Sequence, residues 1–112
     1  MRHVVVGFAA DEGFSGPVLE DIRSCVSEGV TNAVMHAYRD GRSPGTIAVS
    51  ADVHGDELIV RVCDDGIGFT PRPDSPGLGL GIPTIAALTS STTVSDRPGG
   101  GTELCMSFHR AD

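Results

Sequence analysis

Apolar residues recur at helical spacing through Val18, Leu19, Ile22, Cys25, Val26, Val30, Ala33, Val34 and Ala37,. This stripe constrains the chain more than any other stretch, because it must be buried against a second layer. Pro17 is well placed as the first residue of the helix. The loop-forming run DGRSPG (40–45) predicts an end near Arg39,.

The remaining segments suggest what that layer is. TIAVSADV (46–53) alternates like a strand, HGDE (54–57) is a hairpin turn, and LIVRVC (58–63) is a second, antiparallel strand,. Residues 64–81 are rich in Gly, Pro and Asp and read as irregular. Ile82 to Leu88 reads as a helix opened by Pro83 near its start. Thr92 to Ser95 is a short strand, RPGGG (97–101) a turn, and Thr102 to Phe108 a closing strand. Upstream, Arg2 to Ala10 is apolar and fits either a strand or the end of a helix, with a turn from Asp11 to Gly16. The order predicts an α+β fold, a two-layer α/β sandwich with helices on one face of a mixed, mostly antiparallel sheet.

Composition narrows the function classes. A chain of 112 residues makes one domain with a modest core, and only 4% of it is aromatic, with no Trp, so aliphatic side chains must fill that core,. The net charge of -7 argues against direct nucleic-acid binding, which favours a basic face,. Cys25, Cys63 and Cys105 are widely spaced with no CxxC pair, so neither a zinc site nor a disulfide framework is indicated, and all three are expected to be buried, reduced thiols,. No apolar run approaches the ~18 residues of a membrane span. VVVGFAA (4–10) lacks the length and cleavage context of a signal peptide, which leads to a cytoplasmic expectation,. Fifteen glycines are about twice the usual share, and they gather between Gly66 and Gly101,. That clustering suggests tight turns or close backbone approach to a ligand.

Four constellations carry candidate chemistry. Glu28 and Asn32, four residues apart, project from one helix face; they are either an exposed polar face or a proton acceptor beside a hard oxygen ligand for Mg²⁺,. Asn and Thr are weak helix formers, so Thr31-Asn32 in mid-helix calls for a reason other than propensity. DDGIGF (64–69) follows a strand. Asp64 would accept from an exocyclic amine such as adenine N6 while Gly66 and Gly68 leave room for a base, or the segment is a turn with two solvated Asp residues,. GLGLGI (77–82) leads into a helix, and glycines before a helix N-terminus expose amides that cradle phosphate,. The segment is neither a Walker A loop nor a good dinucleotide fingerprint. GGGTEL (99–104) reads first as a hairpin turn, with the Thr102 hydroxyl near Asp64 if their strands are adjacent.

In this order the four motifs resemble the GHKL (histidine-kinase-like) ATPase superfamily. SEGVTNAVMHAY, DDGIGF, GLGLGI and GGGTEL look most like the anti-sigma-factor serine/threonine kinases of bacterial partner-switching systems. The likeness spans roughly Ile22 to Phe108. It implies a Bergerat-type ATP-binding fold, with ATP and Mg²⁺ as cofactors and a sigma factor and an anti-sigma-factor antagonist as protein partners. It implies Glu28 as the general base toward a substrate hydroxyl and Asn32 as the Mg²⁺ ligand. Asp64 would read the adenine amine, with Gly66 and Gly68 beneath the base. Gly77, Gly79 and Gly81 would line the phosphates, and Thr102 would assist Asp64. His36, one turn beyond Asn32, would serve a structural or capping role or approach a phosphate.

The family normally begins with an extra strand and a fuller first helix, so residues 1–112 are expected to form a single such domain without that strand; its open sheet edge, a liability unless a partner covers it, is read as a truncated or shortened start or as an edge used in a dimer. The lid TPRPDSP (70–76) is short, with Arg72 its basic residue. The implied activity is an ATP-dependent anti-sigma regulatory factor with serine kinase activity. The alternatives are a nucleotide-binding anti-sigma-like regulator that does not phosphorylate, and a histidine kinase catalytic domain. Glu28 in the metal box speaks against the last, because histidine kinases usually have Asn there.

Overall fold

In a computed structural model of the chain, the residues described are 2–37, 46–65, 78–98 and 100–110. The elements in order are α1 (Arg2–Asp11), α2 (Gly16–Ala37), β1 (Ile47–His54), β2 (Glu57–Asp64), α3 (Leu78–Leu88), β3 (Ser91–Asp96) and β4 (Thr102–His109). The four strands form one sheet in the order β1-β2-β4-β3, and every neighbouring pair is antiparallel. The architecture is the expected α+β sandwich, with a purely antiparallel sheet among the described strands rather than a mixed one. Two hairpins joined through β2–β4 pairing need no parallel contact.

α2 is the central beam. It starts one residue before Pro17, and the Ser15 carbonyl accepts its first helical bond from Leu19 N. Val18, Ile22, Cys25, Val26 and Ala33 point from it into the core, where they meet Leu58, Val60 and Val62 of β2 and Leu104, Met106 and Phe108 of β4. Gly29 lies where the helix comes nearest the sheet. A Cβ there would sit 2.9 Å from Leu104 Cδ2 and 3.4 Å from Val62 Cγ2, so the missing side chain is what lets α2 settle so low. The strands alternate as a half-covered sheet requires: Leu58, Val60, Val62 and Asp64 are buried beneath the helices, and the residues between them face the other side,.

One open local reading is resolved and two local expectations change. Arg2 to Asp11 is a helix, packed on α2 through Val5, Val6 and Ala9, while Val4 and Phe8 stay exposed. α3 begins at Leu78, so Gly79 and Gly81 belong to its first turn instead of a preceding loop, and Pro83 is its sixth residue rather than its opening one. Gly and Pro cost a helix about 1 and 3 kcal/mol. Tertiary packing offsets that here, because α3 rests on α2 and buries Ile85 completely. Of the three thiols only Cys25 is buried; Cys63 and Cys105 are half-buried on the open face of the sheet. Alternation along β2 and β4 places them opposite the core residues,.

At the far end of the sheet from Asp64, Arg110 ties several segments together. Its backbone N donates to Asp56 O at 2.7 Å and its carbonyl accepts from Ser15 N. Its guanidinium donates to Glu12 O and, at 3.1 Å, to Gly55 O, and lies 4.8 Å from the centre of the Phe14 ring.

Candidate functional site

The direction of α2 decides which residues meet. Its N-terminal end is anchored where Ser15 bonds Arg110, next to the Leu58–Phe108 row of the β2–β4 pair. Fourteen residues on, Gly29 lies over the Val62–Leu104 row. The helix therefore advances toward the next row on that face, Asp64 opposite Thr102. Asn32 stands one turn beyond Gly29, about 4.5 Å further along the axis. Glu28, Asn32, Asp64 and Thr102 are thereby gathered at one end of the molecule, although 74 positions separate Glu28 from Thr102 in the chain.

Each is held differently. Glu28 is exposed on the flank of α2, and Asn32 is half-buried. The Asn32 Nδ2 is fully enclosed without a hydrogen-bond partner. A buried amide end with no partner costs free energy unless a polar group meets it. The two ends of the amide exchange by a flip of the terminal torsion, so the same position can offer oxygen to a hard cation. Among the described residues no three His, Cys, Asp or Glu side chains converge as a metal cluster. An Mg²⁺ seated by Asn32 would thus draw most of its oxygens from phosphate and water, which suits this ion. The residues fit the cofactor on those terms.

Asp64 is a carboxylate only 6% exposed, at the end of an interior strand. The adjacency on which the Thr102 expectation depended is present: Thr102 is the direct partner of Asp64 on one side and of Asp96 on the other. Asp65 is exposed, and its Oδ1 accepts from Thr46 N at 2.9 Å, tying the start of β1 to the end of β2. GGGTEL is the expected turn, with Gly100 N bonded to Arg97 O at 3.0 Å, Arg97 N to Gly101 O at 2.9 Å, and positive φ at Gly100 and Gly101. Gly66, Gly68, Gly77, the lid with Arg72 and the side chain of His36 lie outside the described residues; Gly79 and Gly81 contribute backbone to the first turn of α3, where helix N–H groups have no intrahelical acceptor,.

Sequence reasoning missed Arg97, whose Nη1 donates to the Asp64 carbonyl at 2.8 Å. An Arg before a Gly-rich turn carries no spacing signal that would have singled it out. An open groove lined by Arg2, His3, Val26, Ser27, Val30 and Thr31 is a separate feature. Val30 is two residues from both Glu28 and Asn32, roughly 200° around the helix, so the groove opens on α2's opposite flank toward α1.

Cys25 lies on the same side of α2 as Glu28 and Asn32. Burial, with added repulsion from Asp21 and Glu28, pushes its thiol up to about 12. The folded protein therefore keeps this proton at pH values where the unfolded chain, with an ordinary thiol near 9.0, releases it. The stabilisation from the retained proton is complete below pH 9 and drains away as pH rises from there toward 12. Each pH unit in that window should cost about 1.4 kcal/mol of stability through this group. Urea unfolding at pH 9 to 11 should thus show a shallower pH slope for Cys25→Ala than for the parent; equal slopes would refute the assignment. At Cys63, burial and then the hydrogen bond to Glu103 Oε1, 3.5 Å away, also raise the thiol.

An antiparallel sheet covered on one face by helices, with a buried acid at a strand end, is an α+β sandwich,. Residues 1–108 match the family described as histidine kinase-like ATPase domain, and the chain belongs to that family. It is 29% identical to the anti-sigma F factor of Clostridium acetobutylicum over 116 aligned positions, covering 94% of this chain and 80% of that protein. Over 63 positions it is 43% identical to the serine-protein kinase RsbW of Listeria innocua, covering 56% of this chain and 40% of that one. Among solved structures it is similar to the histidine kinase domain of the Erythrobacter litoralis EL346 blue-light activated histidine kinase, with a TM-score of 0.68 and 30% identity. That match covers 84% of this chain and 45% of the kinase chain.

Proposed function

We propose that this chain is an ATP-dependent anti-sigma regulatory factor that phosphorylates a serine or threonine of an anti-sigma-factor antagonist and also binds a sigma factor. The observation that carries the reading is the delivery of Glu28 and Asn32 by α2 to the sheet end where Asp64 and Thr102 are paired. Names borne by relatives, anti-sigma F factor and serine-protein kinase, support the same reading.

In this reading Asp64 accepts a hydrogen bond from the adenine amine, and its burial makes that bond selective. Thr102, beside it on the same face, orients the carboxylate through its hydroxyl or a water. Asn32 would hold Mg²⁺, which would supply neutralisation of phosphate charge. The first turn of α3, with Gly79 and Gly81, presents amides to the phosphates, which Gly77 would also line, while Gly66 and Gly68 would pass beneath the base. Glu28, exposed and free to meet a docked protein, takes the proton of the incoming hydroxyl. The hydroxyl oxygen bonds the terminal phosphorus, the bond to the bridging oxygen breaks, and ADP leaves. Mainly positioning and charge neutralisation are required of the protein.

No helix among the described residues is long and apolar enough to cross a membrane. A cytoplasmic, homodimeric regulator completes the proposal. The test is incubation with labelled ATP, Mg²⁺ and candidate antagonists from the same genome. Label on Ser or Thr, lost in Glu28→Ala while ATP binding persists, is the expected result. ATP binding with no transfer to any candidate would leave a regulator without kinase activity, and label on His would move the chain to the histidine kinases.

A further inference from the structure

We infer that Arg97 is a positioning residue for adenine recognition: it clamps the Asp64–Asp65 peptide so that the Asp64 carboxylate is presented to the base at a fixed depth. The inference rests on the reading of Asp64 as the adenine acceptor.

Three contacts converge on this one peptide. The Arg97 Nη1 donates to the Asp64 carbonyl at 2.8 Å. Gly101 presses against the same carbonyl so closely that a Cβ would stand 1.9 Å from the Asp64 oxygen. Beyond it, the Asp65 carboxylate is tied to Thr46 N. Asp64 is the last residue of β2 and Thr102 the first of β4, so the ladder stops at this row. At this last rung the guanidinium adds a charged donor to the carbonyl, and charged donors make shorter, stronger hydrogen bonds,. Arg97 is itself held by the turn, its N bonded to Gly101 O and its carbonyl to Gly100 N. Clamp and turn are therefore one unit, and the glycine-rich turn gains a purpose beyond reversing the chain.

Arg97 touches the Asp64 backbone, so its effect should be selective. ATP carries the exocyclic amine that Asp64 would accept; inosine triphosphate (ITP) has an oxygen there and serves as the probe of that one contact. Equilibrium binding of both nucleotides is measured for the full chain and for Arg97→Ala, Arg97→Lys and Asp64→Asn, with thermal melting alongside. Arg97→Ala should reduce ATP affinity about tenfold and ITP affinity less than about twofold, a loss of one charged hydrogen bond. Arg97→Lys, which keeps a charged donor, should restore most of the ATP:ITP ratio. If Asp64→Asn collapses the ratio and Arg97→Ala leaves it unchanged, Arg97 is merely structural and the inference falls while the site reading stands. If Asp64→Asn itself leaves the ratio unchanged, the adenine reading fails first. Should Arg97→Ala not fold, Arg97→Gln, with its shortened reach, provides the same comparison.

Discussion

Gly101→Ala should be among the most damaging single-methyl changes in the described part of the chain, removing about 4 kcal/mol or more of stability. Its φ is +97°, and the added Cβ would lie 1.9 Å from the Asp64 oxygen, 2.8 Å from its carbonyl carbon and 2.9 Å from the Asp65 Cα. All three atoms are backbone, so relief requires β2 and β4 to part at their ends. Gly100 is the control. Its φ is +113°, yet nothing lies within 4 Å of a Cβ built there, so Gly100→Ala bears only the conformational strain, about 1–3 kcal/mol,. Thermal melting of the two variants separates strain from collision. About 1 kcal/mol shifts the midpoint of a domain near this size by roughly 4–8 °C, so a difference of about 1–3 kcal/mol or more should put the Gly101 variant at least about 4 °C, and up to about 24 °C, below the Gly100 variant. Equal midpoints would show that the close approach is not real.

Asp64→Asn should reduce ATP affinity by about 10–100-fold with little change in melting temperature. The amide is nearly the same size as the carboxylate, so packing beneath α2 is preserved. It exchanges a charged acceptor for a neutral one, and hydrogen bonds to charged groups contribute about 1.5–3 kcal/mol. Every 1.4 kcal/mol is a factor of ten in affinity, which sets the range. Isothermal titration with ATP provides the measurement. An affinity within about threefold of the parent, in a variant that melts normally, would remove Asp64 from the site.

Most elements were legible because their signals are local. The stripe from Val18 to Ala37 marked α2, alternation marked the strands, and HGDE and RPGGG marked the turns, with ends within about two residues of the observed ones. α3 was read too short because glycine and proline outweighed the apolar Leu78, Leu80 and Ile82 in a local reading, whereas packing against α2 outweighs them in the fold. α1 stayed ambiguous because a short apolar run does not distinguish helix from strand. Two of the three thiols were misassigned for a similar reason: Cys63 and Cys105 have apolar neighbours along the chain, but only alternation across paired strands shows which face they take.

The sequence by itself determined the family, the four motifs and the candidates Glu28, Asn32, Asp64 and Thr102, since residue type and spacing carry that chemistry. Tertiary structure decided that Asp64 faces Thr102, that Gly29 lets α2 reach the sheet, that Asn32 keeps an enclosed amide without a partner, and that Arg97 and Gly101 grip the Asp64 carbonyl. Each of these depends on strand register and helix approach between segments some 30 or more residues apart. Propensity and periodicity act over a few residues, so such long-range geometry appears only once the core has closed.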